Sequence, residues 1–107
     1  MKILLVCAAG MSTSLVAESM QDALSEAEKD WVISAEPSEQ FHEVVSEYDV
    51  VLLGPQVRFK KDEFQEIAGV NIPVAVINTM DYGRCRGDHI LQAAKELYKN
   101  KALGART

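Results

Sequence analysis

The chain has little of what most binding and catalytic classes require. Its 107 residues include two cysteines, Cys7 and Cys85, and two histidines, His42 and His89. Two cysteines are too few for a disulfide framework, they form no C-x-x-C redox pair and match no zinc spacing, and neither histidine has a second ligand type at motif spacing. No metal and no cofactor is therefore expected, and the thiols suit a reducing, cytoplasmic setting. Positive charge is short as well: 11 Lys and Arg stand against 16 Asp and Glu, a net charge of −5. That balance excludes a general nucleic-acid binder or a protein held on anionic lipid, both of which need a basic surface. No apolar run approaches the roughly 20 residues of a bilayer span. The opening Lys2-Ile3-Leu4-Leu5-Val6 sets one basic residue before a short apolar run, too little for a signal peptide, and the same residues are needed as a strand. The nucleotide loops G-x-x-x-x-G-K-[ST] and G-x-G-x-x-G are both missing.

What is present is ordinary for a globular chain, 48% apolar and 25% charged, in a length that suits one domain over residues 1–107. Ile3 to Val6, Val50 to Leu53 and Pro73 to Ile77 are short, apolar and mostly β-branched or leucine, the composition of strands buried on both faces. Trp31 to Glu36 alternates and suits a sheet edge. Between them, Leu15, Val16, Met20, Ala23, Leu24 and Ala27 form one stripe of a helix from Thr13 to about Lys29. Phe41, Val44, Val45 and Tyr48 have helical spacing, a third helix covers Lys61 to Ala68 before Gly69, and a fourth runs from about Asp88 to Leu103 and closes at Gly104. This alternation predicts an α/β fold: a four-stranded parallel sheet with right-handed crossovers and helices on both faces. The loops after the first, third and fourth strands all emerge at the carboxyl edge, where open α/β sheets bind ligands.

The first of those loops is Cys7-Ala8-Ala9-Gly10-Met11-Ser12-Thr13-Ser14. A helix beginning near Ser12 or Thr13 presents unpaired N–H groups and about half a positive charge, a natural oxyanion site. Ala8, Ala9 and Gly10 leave room for backbone amides to curl around an anion, and Ser12, Thr13 and Ser14 can cap the helix or donate to the same anion. Cys7 stands at the mouth of that cradle, whose field favours thiolate over thiol. A nucleophilic sulfur in a phosphate loop can accept a phosphoryl group as phosphocysteine. The plainer alternative is a small buried hydrophobe closing a strand.

Two phosphocysteine chemistries are possible. Tyrosine-phosphatase-like enzymes, the low-molecular-weight kind included, end the loop with arginine in the pattern C-x5-R, which clamps the transition state. Here that position is Thr13, and no Lys or Arg occurs between Lys2 and Lys29. The loop carries no acid either, and Asp81, the available candidate in another edge loop, reads more simply as a solvated turn residue. A carrier is favoured over a hydrolase. A receiver-type regulatory module fails, because the third strand ends in Leu53-Gly54-Pro55 without a phosphorylatable aspartate and Asp49 is at its wrong end.

Lys2 to Val16, Asp49 to Phe59 and Ile72 to Leu91 together resemble the IIB component of the bacterial phosphoenolpyruvate-dependent sugar phosphotransferase system, of the lactose/cellobiose (chitobiose) type, over essentially the whole chain. The resemblance implies a cytoplasmic phosphotransferase whose Cys7 takes phosphate from a phosphohistidine of the IIA component. It passes the phosphate to a β-linked disaccharide presented by the membrane-embedded IIC component. Ala8, Ala9, Gly10, Met11, Ser12 and Thr13 would form the phosphate loop, mainly through backbone N–H groups. The identity of the sugar is not in the chain, since in this family the membrane component binds it, and a monomer docking transiently is expected.

Other residues have plainer readings. Cys85 is an incidental small residue, with a disulfide to Cys7 as the alternative; His42 and His89 are solvated helix residues. Gly54-Pro55-Gln56 borders the site, forms part of the IIA and IIC docking surface, or is a plain turn. Arg58, Lys60 and Lys61 around Phe59 snorkel over the sheet edge, with a meeting with an acidic partner as the alternative.

Overall fold

The structure, a computed structural model, describes residues 1–7 and 11–104, with the side chains of residues 11–13 and 101–104 outside the description. Four strands form one sheet in the order β2-β1-β3-β4: β1 (Lys2–Cys7), β2 (Val32–Pro37), β3 (Val50–Leu53) and β4 (Val74–Val76). All pairings are parallel, with Leu4 opposite Ser34 on one side and Val51 on the other. The helices are α1 (Met11–Asp22), α2 (Phe41–Val44), α3 (Lys61–Ala68), α4 (Thr79–Gly83) and α5 (Gly87–Gly104).

Alternation along β1 and β3 builds a core on each face. Ile3, Leu5, Val50 and Leu52 meet Val16, Met20, Ile90, Leu91 and Ala94 of α1 and α5. Leu4, Val6, Val51 and Leu53 meet Phe41, Val45, Val57 and Phe64 on the other side. There Phe41 and Phe64 stack with ring centroids 4.2 Å apart. Full burial of each such ring contributes roughly 1.5–3 kcal/mol. No helix of the described residues is long and apolar enough to cross a membrane.

The α/β architecture and the edge position of Trp31 to Glu36 agree with the sequence, and several details differ. The segment expected as a buried fourth strand is a three-residue edge strand in which Val74 is buried and Ala75 and Val76 are half-exposed. The first helix starts at Met11 and stops at Asp22; Ser25 and Glu28 close a capping box over a separate 3-10 turn, Glu26–Glu28. Ala23 and Ala27, assigned to its apolar stripe, are consequently exposed, as is Leu15. The second helix is a single α turn between 3-10 turns at Ser38–Gln40 and Val45–Glu47. The third ends as expected at Gly69, whose φ of 84° favours glycine. The last includes Gly104 instead of ending before it, and Tyr98, expected to face inward, is exposed.

Candidate functional site at the carboxyl edge of the sheet

From β1 the chain crosses to β2 on one side, and from β3 to β4 on the other. The carboxyl ends of β1 and β3 therefore flank the switch point at which the topology opens a crevice. Cys7 is the last residue of β1, opposite Pro37 of β2, and Val6 beside it pairs with Leu53. Period-2 alternation puts Cys7 on the Ile3 and Leu5 face, toward α1. Its exposure is 2%. The thiol is therefore buried at the carboxyl end of the central strand, nearer the plainer sequence reading of a small buried residue than an open mouth. Cys7 and Cys85 are both thiols and form no disulfide with each other.

Of the expected phosphate loop, Ala8, Ala9 and Gly10 lie outside the described residues. Met11, Ser12 and Thr13 form the first turn of α1. That turn contains no acidic residue, so nothing within it offsets the positive end of the helix dipole.

The loop after β3 forms the neighbouring wall. Gly54 N–H donates to Val6 O at 2.7 Å, and Val57 N–H donates back to Gly54 O at 3.0 Å. Gly54 has ordinary extended angles, φ −61° and ψ 150°, so its glycine is a matter of room. A Cβ there would stand 3.4 Å from Cys7 Cβ and 2.8 Å from Gln56 Oε1. Gln56 Nε2 reaches Tyr82 Oη at 3.5 Å, linking the loops after β3 and β4. Of the sequence readings of Gly54-Pro55-Gln56, this placement supports the one bordering the thiol.

The loop after β4 is fastened by side chains. Asn78 caps α4, its Oδ1 accepting from Met80 and Asp81 N–H at 2.9 and 3.1 Å. Ser19 Oγ of α1 donates to Cys85 O at 2.8 Å and accepts from Gly87 N–H at 3.0 Å, holding Cys85 at its positive φ of 54°. His89 is not simply solvated. Arg86 NH2 meets its Nε2 at 2.9 Å, and its Nδ1 meets Asp81 Oδ1 at 3.1 Å. Because guanidinium only donates, Nε2 accepts and Nδ1–H donates to Asp81. Asp81 is thus engaged by His89 instead of being a bare turn carboxylate, which disfavours it as a phosphatase acid. Arg86 also forms a fork with Asp88, both contacts at 3.2 Å. The hydrogen bond from that guanidinium lowers the Asp88 carboxyl to about 2.

Lys60 lies 5.7 Å from the Phe64 ring centroid, as a snorkelling lysine should, whereas Phe59 is 77% exposed and covers nothing. His42 is exposed. No cluster of three or more His, Cys, Asp or Glu able to hold a metal occurs among the described residues. A hollow of about 240 Å³ between β4 and α5, lined by Val76, Ile77, Asn78, Asp81, Ile90 and Leu97 among others, does not include Cys7. Sequence reasoning gave no role to Ser19 or Tyr82; the contact of α1 with the β4–α5 loop reveals the first and the contact with Gln56 the second.

Comparison with known proteins shows the family to which this arrangement belongs. The family described as "PTS system, Lactose/Cellobiose specific IIB subunit" matches residues 2–93. The chain belongs to this family. IIB components are sugar phosphotransferases that work with IIA and IIC components. Among relatives, the galactose-specific EIIB component of Lactococcus lactis subsp. cremoris is 47% identical, covering 89% of this chain and 94% of that protein. The oligo-beta-mannoside-specific EIIB component of Bacillus subtilis is 38% identical over 94% of this chain and 98% of that protein. The solution structure of a cellobiose-specific IIB component from Borrelia burgdorferi superposes with a TM-score of 0.75 at 42% identity, covering 94% of each chain. A lactose-specific IIB domain from Streptococcus pneumoniae has the same fold, with a TM-score of 0.77 at 21% identity over 92% of this chain and 97% of that one.

Proposed function

We propose that this IIB chain acts as one cytoplasmic domain and a transiently docking monomer, and carries phosphate on Cys7 from the IIA component to a sugar held by IIC. The observation behind this reading is the position of Cys7: the last residue of the central strand, at the switch point, with the acid-free first turn of α1 beyond the loop. In the first step the Cys7 thiolate attacks the phosphorus of phosphohistidine. The S–P bond forms, the P–N bond breaks, and the imidazole nitrogen keeps the electron pair. In the second, a sugar hydroxyl oxygen attacks phosphorus, the S–P bond breaks with its electrons returning to sulfur, and the hydroxyl proton passes to a base beside the bound sugar.

Phosphoryl transfer of this kind proceeds through a loose, charge-spread transition state, so the chain contributes position and amide dipoles more than covalent chemistry. Ala8 to Thr13 supply those amides, with the Thr13 hydroxyl assisting. The absence of an arginine at Thr13 leaves the group transferable. The sugar is a β-linked disaccharide of the cellobiose, chitobiose or lactose class, a reading supported by the cellobiose and oligo-beta-mannoside specificities named for two relatives and not by the galactose specificity named for a third.

The test is mass measurement after incubation with phosphorylated IIA component. One phosphoryl group should appear on the wild-type chain and none on Cys7→Ser. Steady release of phosphate from an aryl phosphate by the isolated chain would instead favour the phosphatase.

A further inference from the structure

We propose that the side-chain amide of Gln56 contacts the phosphoryl group on Cys7, with Tyr82 holding the amide's other end. The inference rests on the carrier reading of Cys7 and adds a carboxamide donor to a site of backbone amides and the Thr13 hydroxyl.

Three observations place the amide there. The point where a Gly54 side chain would begin is 3.4 Å from Cys7 Cβ and 2.8 Å from Gln56 Oε1. Gln56 and Cys7 thus approach the same small volume from two strands' ends, and glycine keeps that volume clear. Second, the turn carrying Gln56 is fixed on both sides. Gly54 is bonded to Val6 on β1, and Val57, 3% exposed, is anchored in the core. Third, the far end of the amide reaches Tyr82 Oη at 3.5 Å, and Tyr82 itself rests against the core shared by α1 and α5.

The chemistry of the pair suits a site that alternates between two states. A carboxamide has an acceptor at one tip and two donors at the other, and a phenol hydroxyl can donate or accept. With Oε1 toward the crevice, Nε2–H donates to Tyr82 Oη. Rotation of the amide by half a turn sends the N–H groups into the crevice, and Tyr82 O–H then donates to Oε1. The first orientation suits the protonated thiol, a weak donor; the second suits the attacking thiolate and the dianionic phosphoryl group, both of which only accept. Tyr82 satisfies the other tip in both. Glutamine also meets the phosphate without a fixed positive charge, so the contact adds directed hydrogen bonds without the strong clamp of an arginine.

The experiment compares the wild-type chain with Gln56→Leu, Gln56→Glu and Tyr82→Phe, each mixed with phosphorylated IIA component. The ratio of phosphocysteine to phosphohistidine is read by phosphorus NMR. Loss of a hydrogen bond to a charged group should lower that ratio about tenfold in Gln56→Leu. It should fall further in Gln56→Glu, whose carboxylate repels the group, and less in Tyr82→Phe, which keeps the amide and loses its anchor. In the wild type, the Gln56 side-chain NH2 resonances should shift on phosphorylation, a response that a merely structural glutamine would not give. A Gln56→Leu ratio within twofold of wild type, with the wild-type adduct formed, overturns this proposal alone. No adduct on the wild type overturns the carrier reading and this proposal with it.

Discussion

Gly87 shows how a residue remote from the thiol fixes the geometry around it. A Cβ on Gly87 would fall 2.3 Å from Ser19 C and 2.4 Å from Met20 N, both backbone atoms of α1, so no rotamer change relieves the clash. The N-terminus of α5 can lie against α1 only because that side chain is missing, and Ser19 then bonds both Cys85 O and Gly87 N–H across the contact. Gly83, in contrast, has nothing within 4 Å of its Cβ position. Gly87→Ala should therefore lower stability by about 1–3 kcal/mol, the range for overfilling a tight site. Gly83→Ala should be neutral or stabilising by a few tenths of a kcal/mol, since alanine restricts the unfolded chain more. Urea midpoints of the two variants would check this. Equal midpoints would mean that α1 and α5 are not held as closely as described. Neither glycine is distinguishable from the other in the sequence; the difference between them exists only once two helices are brought together.

Among the elements, α5 carries a pH signature at its start. Arg86 and Asp88 flank Gly87, and the guanidinium bond holds the Asp88 carboxyl at about 2, below its ordinary 3.8. A carboxyl lowered in the folded state adds stability above its unfolded pKa and loses it as pH falls through the folded one, here between about pH 4 and pH 2. Both partners are largely exposed, 44% and 58%, so the contribution is small. Asp88→Asn should lower the thermal midpoint at neutral pH and lose that difference by pH 2, in a scan of midpoint against pH; a difference that persists at pH 2 would contradict the pair. The same elements show what could be read in advance. The runs at Ile3 to Val6 and Val50 to Leu53 identified themselves because strands covered on both faces admit no polar residue. The phosphate-loop candidate suggested itself because thiol, small residues and hydroxyls are adjacent in sequence, and its Ala8, Ala9 and Gly10 lie outside the described residues. The short edge strand β4 looked central because a run of Val and Ile does not reveal how many neighbours it has. The break at Asp22 was hidden because Ser25 and Glu28, which begin a new turn there, also fit the polar face of a continuing helix. Gln56 and Tyr82 lie 26 positions apart, a juxtaposition that local pattern does not encode.

The molecule as a whole consists of two cores sharing one sheet, and the sharing has a measurable consequence. β1 sends Ile3 and Leu5 to the α1 and α5 side and Leu4 and Val6 to the side of Phe41 and Phe64. Neither core can lose its sheet wall without stripping the other. Trp31, the single tryptophan, rests against the first core, where Lys95 lies 5.6 Å from its ring centroid and also pairs with Glu28. Its fluorescence reports on that side alone, whereas far-UV circular dichroism reports on every helix. Phe41→Ala empties a site on the opposite side, where the ring is 1% exposed and stacked on Phe64; such a deletion costs about 3–5 kcal/mol. If the shared sheet couples the cores, the variant's urea transition should move to lower concentration by the same amount in both signals, leaving the two curves superimposed. A tryptophan transition that stays at its wild-type midpoint while the circular dichroism curve splits would show two units unfolding separately. Coupling of this kind would give Cys7 a rigid floor, because its strand could then move only when both cores yield.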